Sequence, residues 1–192
     1  MEIRWLGNSC LEVDSTENLL IDPSFTVKPQ LDPDIILITH EHDDHIDPEQ
    51  IKYWEKDVPI FAPGSVLREF DLEAERVRPG EEIAGSIQAF AIDCYGSDEA
   101  LSYYYNGLLH TADAARFTPP GSAVSVLFTA CFADFYQEYL ESCQKIQPDL
   151  VIPYHYDHQD DNEREEAREL IRLLEREGFN TRQLSPGEKI EL

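Results

Sequence analysis

The segment "LITHEHDDHID", residues 37–47, limits this chain more than any other feature. Three of its six histidines, His40, His42 and His45, fall there beside Asp43, Asp44 and Asp47. The apolar run "IILI" at 35–38 comes immediately before them and reads as a short buried strand. In an extended loop, side chains two residues apart point the same way, so His40 and His42 suit one ion. Asp44 and His45, at a loop or helix start, suit a second ion beside it. Imidazole nitrogen and carboxylate oxygen are suitable zinc ligands, and mixed sets of this kind also take manganese or iron.

Around this cluster the chain reads as an α/β sandwich rather than an all-β barrel. "EIRWLG", "CLEVD" and "NLLID" read as early strands. "PIFAP", "SIQAFAI", "AVSVLF" at 123–128 and "DLVIP" read as later ones. "LSYYYNGLLHT" predicts two strands about an Asn106–Gly107 turn, with "SYYY" read as an interface or as a strand with one exposed face. "DPEQIKYWEK" predicts a helix capped by Asp47 with Pro48 in its first turn. "SVLREF" predicts a helix capped by its serine. "DFYQEYLESCQKIQP" and "DDNEREEARELIRLLEREG" predict amphipathic helices, the second closed by Gly178. The length of 192 residues suits one domain spanning 1–192.

Charge narrows the partners. The formal net charge is −24, and such a surface repels a phosphate backbone, so no nucleic-acid partner is expected. The chain lacks an apolar run long enough for a membrane helix, so no membrane partner is expected either. "MEIRWLGNSC" lacks a basic stretch followed by an apolar one, and a cytoplasmic location is expected. The four cysteines, Cys10, Cys94, Cys131 and Cys143, form no CxxC pair and are expected as free thiols.

The motif "HEHDDH" fits the HxHxDH signature of the metallo-β-lactamase-fold hydrolases. "EIRWLGNSCLEV…NLLIDP" resembles the opening of the small group containing L-ascorbate-6-phosphate lactonase-like enzymes. "LLHTADAA" resembles the HxGD segment, and "PDLVIPYHYD" the late strand that ends in a ligand histidine. The resemblance implies a four-layer αββα sandwich with the metal site where the sheets meet. It assigns His40 and His42 to a first metal position, and Asp44, His45 and His155 to a second. Asp113 bridges the two. His110 is expected to pack or to orient a neighbour, and His158 to lie at the surface.

Three departures stand out. The loop "AIDCYGSDEA", residues 91–100, has no histidine where the pattern expects one, leaving Cys94, Asp93 or Asp98 as replacements. Asn8 stands where many relatives have His. Ala112 replaces the usual Gly before Asp113.

The resemblance implies a hydrolase using one or two ions, zinc first and manganese or iron as alternatives. A bound cation would lower the pKa of a water toward about 7, and Asp44 would orient that water. A small-molecule lactone, cyclic ester or phosphoester is the implied substrate class. The rivals are a phosphodiesterase and a degenerate member that binds a metal or ligand without turnover.

Overall fold

The computed structural model describes residues 1–54 and 57–192. Strands β1 (Glu2–Gly7), β2 (Cys10–Asp14), β3 (Leu19–Ile21), β4 (Ile35–Leu37), β5 (Ile60–Ala62) and β6 (Glu75–Arg76) build one sheet. A second sheet contains β7 (Glu82–Ile83), β8 (Ile87–Ile92), β9 (Ala100–Tyr105), β10 (Leu108–His110), β11 (Val126–Thr129) and β12 (Leu150–Pro153). The last strand, β13 (Lys189–Glu191), returns to pair with β1. Both sheets are mixed. β1, β2 and β3 run antiparallel and β3 to β6 parallel, while β7 to β10 run antiparallel and β10 to β12 parallel.

Alternate strand residues serve different apolar layers, as the two-residue period of a strand requires. Ile3, Trp5, Leu11, Val13, Leu19, Ile21, Ile35 and Leu37 enter the larger core, which also takes the apolar residues of the second sheet. Leu6, Cys10, Leu20, Ile36 and Ile38 point the other way, into a smaller core. Helices α1 (Pro48–Ile51) and α2 (Gly64–Glu69) contribute Ile51 and Val66 to that smaller core. Helices α3 (Tyr136–Ile146) and α4 (Asp161–Arg176) cover the second sheet with Tyr139, Leu140, Ala167, Leu170 and Leu174. Two covered sheets make a helix–sheet–sheet–helix arrangement, and explain why "LLI" and "IIL" are continuous apolar runs rather than alternating ones.

Local signals and structure differ in four places. Asp47 caps α1 by accepting from the Glu49 and Gln50 amides, as expected, but that helix ends at Ile51. The last two residues of the expected segment, 55 and 56, lie outside the described residues. Helix α2 starts after Pro63 without a side-chain cap, because the Ser65 hydroxyl donates to the Glu99 carbonyl instead. The "SYYY" strand does not expose a face. Tyr103 and Tyr105 are buried in the larger core, and Tyr104 is half-buried against it with its hydroxyl donating to the Ala123 carbonyl. β6, β7 and β13 are too short to leave a sequence pattern.

Candidate metal centre

The histidine segment leaves the C-terminal end of β4, and Asp113 follows β10 from the opposite sheet. His155 follows β12, and Cys94 follows β8. Ligand-bearing residues thus gather beyond strand ends, where open α/β sheets collect their sites. The loops meet because the Tyr103 hydroxyl donates to the Ile38 carbonyl and the Leu101 amide to the Thr39 carbonyl.

Two clusters result. In the first, single ligand atoms from His40, His42, Cys94 and Asp113 lie within 4.8 Å of one another. In the second, Asp44, His45 and His155 do the same. Asp113 faces both. Its Oδ2 is 3.4 Å from His40 Nε2 and 3.9 Å from His42 Nδ1. Its Oδ1 is 2.8 Å from His45 Nε2 and 2.9 Å from His155 Nε2. Asp44 Oδ2 is 3.3 Å from His155 Nε2. All six residues named from the sequence therefore come together, while Asp93 and Asp98 are exposed and belong to neither cluster.

Two observations test whether these residues fit metal ions. His40 Nε2 and His42 Nδ1 are 3.1 Å apart, and the Nε2 atoms of His45 and His155 are 2.9 Å apart. Ligand atoms around one tetrahedral zinc lie about 3.3–3.8 Å apart, given bonds of about 2.0–2.3 Å. The ring nitrogens stand a few tenths of an ångström inside that spacing, and converge as ligands of one ion do. Second, Asp113 Oδ1 is buried and meets two ring nitrogens at contact distance without a well-aligned hydrogen bond to either. Buried carboxylate oxygens are normally satisfied, and a shared cation would satisfy this one. The donor set fits divalent ions.

The supporting residues were less visible in the sequence. Asp22 and His45 are both fully buried, with Asp22 Oδ2 2.7 Å from His45 Nδ1. Asp22 also accepts from the Thr39 amide and hydroxyl, each at 2.8 Å. Thr39 Oγ1 in turn lies 3.0 Å from His40 Nδ1. A carboxylate behind a histidine fixes its tautomer and orientation. The available signal was one acid closing the apolar "LLI" run. Asn8, at φ 47°, donates to the Asp44 carbonyl, while its own carbonyl accepts from the Trp5 indole and the His155 amide. It braces two of the named residues from behind.

Ala112 and His155 have φ of 48° and 62°, in the left-handed region that favours Gly. Such strain persists where surrounding structure holds it, often at functional positions. His110 is fully buried and lies 2.9 Å from the Ser9 carbonyl and 3.1 Å from the Tyr154 hydroxyl, outside both clusters. His158 is not a plain surface residue. It is half-buried and lines a cavity, with its Nδ1 hydrogen-bonded to no described residue.

That cavity, of about 940 Å³, opens beside the second cluster and is lined by Asp44 and His155 themselves. Phe25, Phe132 and Tyr156 give it apolar walls. Asp157, Glu163 and Glu166 add carboxylates, and no Lys or Arg is found among the described lining residues.

The electrostatics set a pH dependence for the chelated protein. Burial alone would push His45 down, but Asp22 and Asp113 outweigh it and raise the group to about 10. Burial also opposes His155, which Asp113 and Asp44 raise to about 9. Burial favours the neutral forms of Asp113 and Asp44, yet the nearby histidines hold both well below the usual carboxylate range. A histidine in the unfolded chain titrates near about 6.5. The stability that the two raised histidines contribute is therefore complete below that pH. It is lost as the pH rises through about 9 and then about 10. At neutral pH the carboxylates beside the metal-free pair favour its protonated form, and a metal must displace that proton. Zinc uptake should then release protons, and apparent affinity should fall as pH is lowered. Calorimetry in two buffers of different ionisation enthalpy measures that number. A value near zero would show the rings neutral before the metal arrives.

The comparisons agree with this architecture. A family model described as "Beta-lactamase superfamily domain" matches residues 2–155. A UPF0173 metal-dependent hydrolase of Methanoculleus marisnigri is 26% identical, with 100% of this chain and 97% of that protein covered. Another, from Methanobrevibacter smithii, is 41% identical over a shorter stretch, covering 32% of this chain and 30% of that protein. Igni18, a metallo hydrolase from the hyperthermophilic archaeon Ignicoccus hospitalis, superposes with a TM-score of 0.76 at 17% identity, covering 100% of this chain and 98% of that one. Among the described residues no helix is long and apolar enough to cross a membrane. With the motif, the paired sheets and a family match over most of its length, the chain belongs to the beta-lactamase superfamily, in its metallo-hydrolase fold.

Proposed function

We propose that this protein is a metal-dependent hydrolase of a small lactone or cyclic ester, with zinc as its metal. The observation that carries the reading is the second cluster opening directly on the cavity through Asp44 and His155. His40, His42 and Asp113 would hold one ion, and Asp44, His45, His155 and Asp113 the other. Bound divalent ions supply acidification of water and polarisation of the target oxygen.

The chain's own residues do the rest. Asp44 has a half-exposed side chain, so its carboxylate reaches both the cluster and the cavity. It orients the attacking water and accepts a hydrogen bond from it. Phe25, Phe132 and Tyr156 bind the apolar body of the substrate and exclude bulk water. The Phe132 ring also meets His155 edge-on at 5.1 Å, which fixes that imidazole.

The charge of the wall selects the substrate. Asp157, Glu163 and Glu166 face an incoming molecule without a compensating Lys or Arg among the described lining residues. This wall disfavours an already anionic phosphoester relative to a neutral or aminated ester, offsetting part of the attraction that bound cations would exert on phosphate. Manganese and iron remain the alternative metals on donor chemistry.

The test uses zinc-loaded protein and three probes of similar size: a neutral lactone, an aminated lactone and a phosphodiester. Both lactones should be hydrolysed with higher kcat/KM than the phosphodiester. Asp44→Asn should lower the rate by about 10²–10⁴-fold. A phosphodiester preference would overturn the substrate class. No turnover of any probe by protein holding two ions would favour the binding-only reading instead.

A further inference from the structure

The first cluster contains one residue that the family resemblance did not supply. Cys94 stands in the loop after β8, where the pattern expects a histidine. Its Sγ lies 3.6 Å from Asp113 Oδ2 and 4.0 Å from His42 Nδ1. Sulfur-to-nitrogen and sulfur-to-oxygen edges of a tetrahedral zinc site are about 3.5 Å. The sulfur is therefore near ligating distance as placed.

The loop that carries it is held in this position. The Ser97 hydroxyl donates to Glu41 Oε2 at 2.7 Å, which ties the loop to the histidine motif itself. The Ser97 amide donates to the Cys94 carbonyl and closes a turn. Gly96 has φ +83°, and a Cβ there would stand 3.3 Å from His42 Nε2. A side chain at 96 would be strained and would crowd that imidazole. Cys94 sits at the inner side of this turn, half-buried, while Asp93, Tyr95 and Asp98 are exposed. Cys10, Cys131 and Cys143 are buried outside both clusters, so Cys94 is the cysteine placed for ligation among the described residues.

We propose that Cys94 is the fourth protein ligand of the first metal position, completing His40, His42 and Asp113 as a thiolate. The inference rests on the metal-dependent reading above. On ligation the S–H bond breaks, its proton passes to solvent, and a sulfur electron pair forms the bond to the cation. No oxidation state changes. A position with one thiolate, two imidazoles and one carboxylate is softer than a set of nitrogen and oxygen alone. It favours zinc and cobalt over manganese.

Cobalt reports the sulfur directly. Full-length protein is loaded with cobalt(II), its metal content is measured, and its near-ultraviolet spectrum is recorded. Wild type should bind two cobalt ions and show a thiolate-to-cobalt charge-transfer band. Cys94→Ser should lose the band, retain one tight ion, and bind the other at least about 10–100-fold more weakly. Cys94→Ala should behave likewise, with circular dichroism confirming that each variant is folded. Cys131→Ser should keep the band. Two bound cobalt ions in wild type without the band would overturn the role of Cys94 and leave the metal reading standing. A band that survives Cys94→Ser, or disappears in Cys131→Ser, would also overturn it. Failure of wild type to bind cobalt at all would overturn both readings.

Discussion

Asp113→Asn is expected to weaken both metal positions at once. The carboxylate reaches the first cluster through Oδ2 and the second through Oδ1, with His40 Nε2 at 3.4 Å on one side and His45 Nε2 at 2.8 Å on the other. Asn has the same shape but only one oxygen. Its NH2 group is a donor and cannot ligate. The substitution also removes a negative charge that neutral imidazoles cannot replace. Losing an outer partner of a ligand already costs about 10–100-fold in affinity, so losing a shared ligand should cost at least about 100-fold at each position. Asp44→Asn, by contrast, should affect the second position alone. Metal content after dialysis against a weak chelator measures both variants. Two ions retained in Asp113→Asn would remove the bridging role.

The second large effect is expected at Asp22, which touches no substrate-accessible surface. Asp22→Ala leaves the Thr39 amide, the Thr39 hydroxyl and His45 Nδ1 without their shared acceptor inside a fully buried site. Each buried polar group left unpaired costs about 1–3 kcal/mol, and breaking a buried charge pair costs about 3–5 kcal/mol. A loss of about 3–5 kcal/mol in unfolding free energy is therefore expected for the chelated protein. Zinc affinity at the second position should also fall about 10–100-fold, because His45 loses the partner that orients it. Urea denaturation and a zinc titration check the two effects separately. Stability within about 1 kcal/mol of wild type, together with unchanged zinc affinity, would contradict the assigned role.

The residues of the two clusters differ in how legible they are in the sequence. The segment from His40 to His45 announced itself because a dense run of ligand types directly followed an apolar strand. Asp113 and His155 carry no such local mark, and only the resemblance of "LLHTADAA" and "PDLVIPYHYD" pointed to them. The strand and helix pattern was also legible, because both faces of β3 and β4 are covered and their apolar runs are unbroken. Signals failed where a tertiary partner competed with a local one. Ser65 bonds to Glu99 rather than capping α2, and "SYYY" is mostly buried because the larger core takes Tyr103 and Tyr105 and Tyr104 packs against it.

The sequence by itself determined the ligand types, the grouping of His40, His42, Asp44 and His45 on one loop, the strand framework and the acidic charge. Only the tertiary structure decided which residue of "AIDCYGSDEA" turns inward. In a loop, side-chain direction follows from distant anchors, here Ser97 on Glu41 and Gly96 against His42. It likewise decided that Asp22, one acid among 39, stands behind His45. It also formed the acidic cavity, whose walls come from the β1–β2 turn, the segments after β3, β4, β11 and β12, the start of α4 and the approach to β13. A strand pattern shows which way a residue points from its own sheet. What it meets there depends on how the second sheet closes over the first.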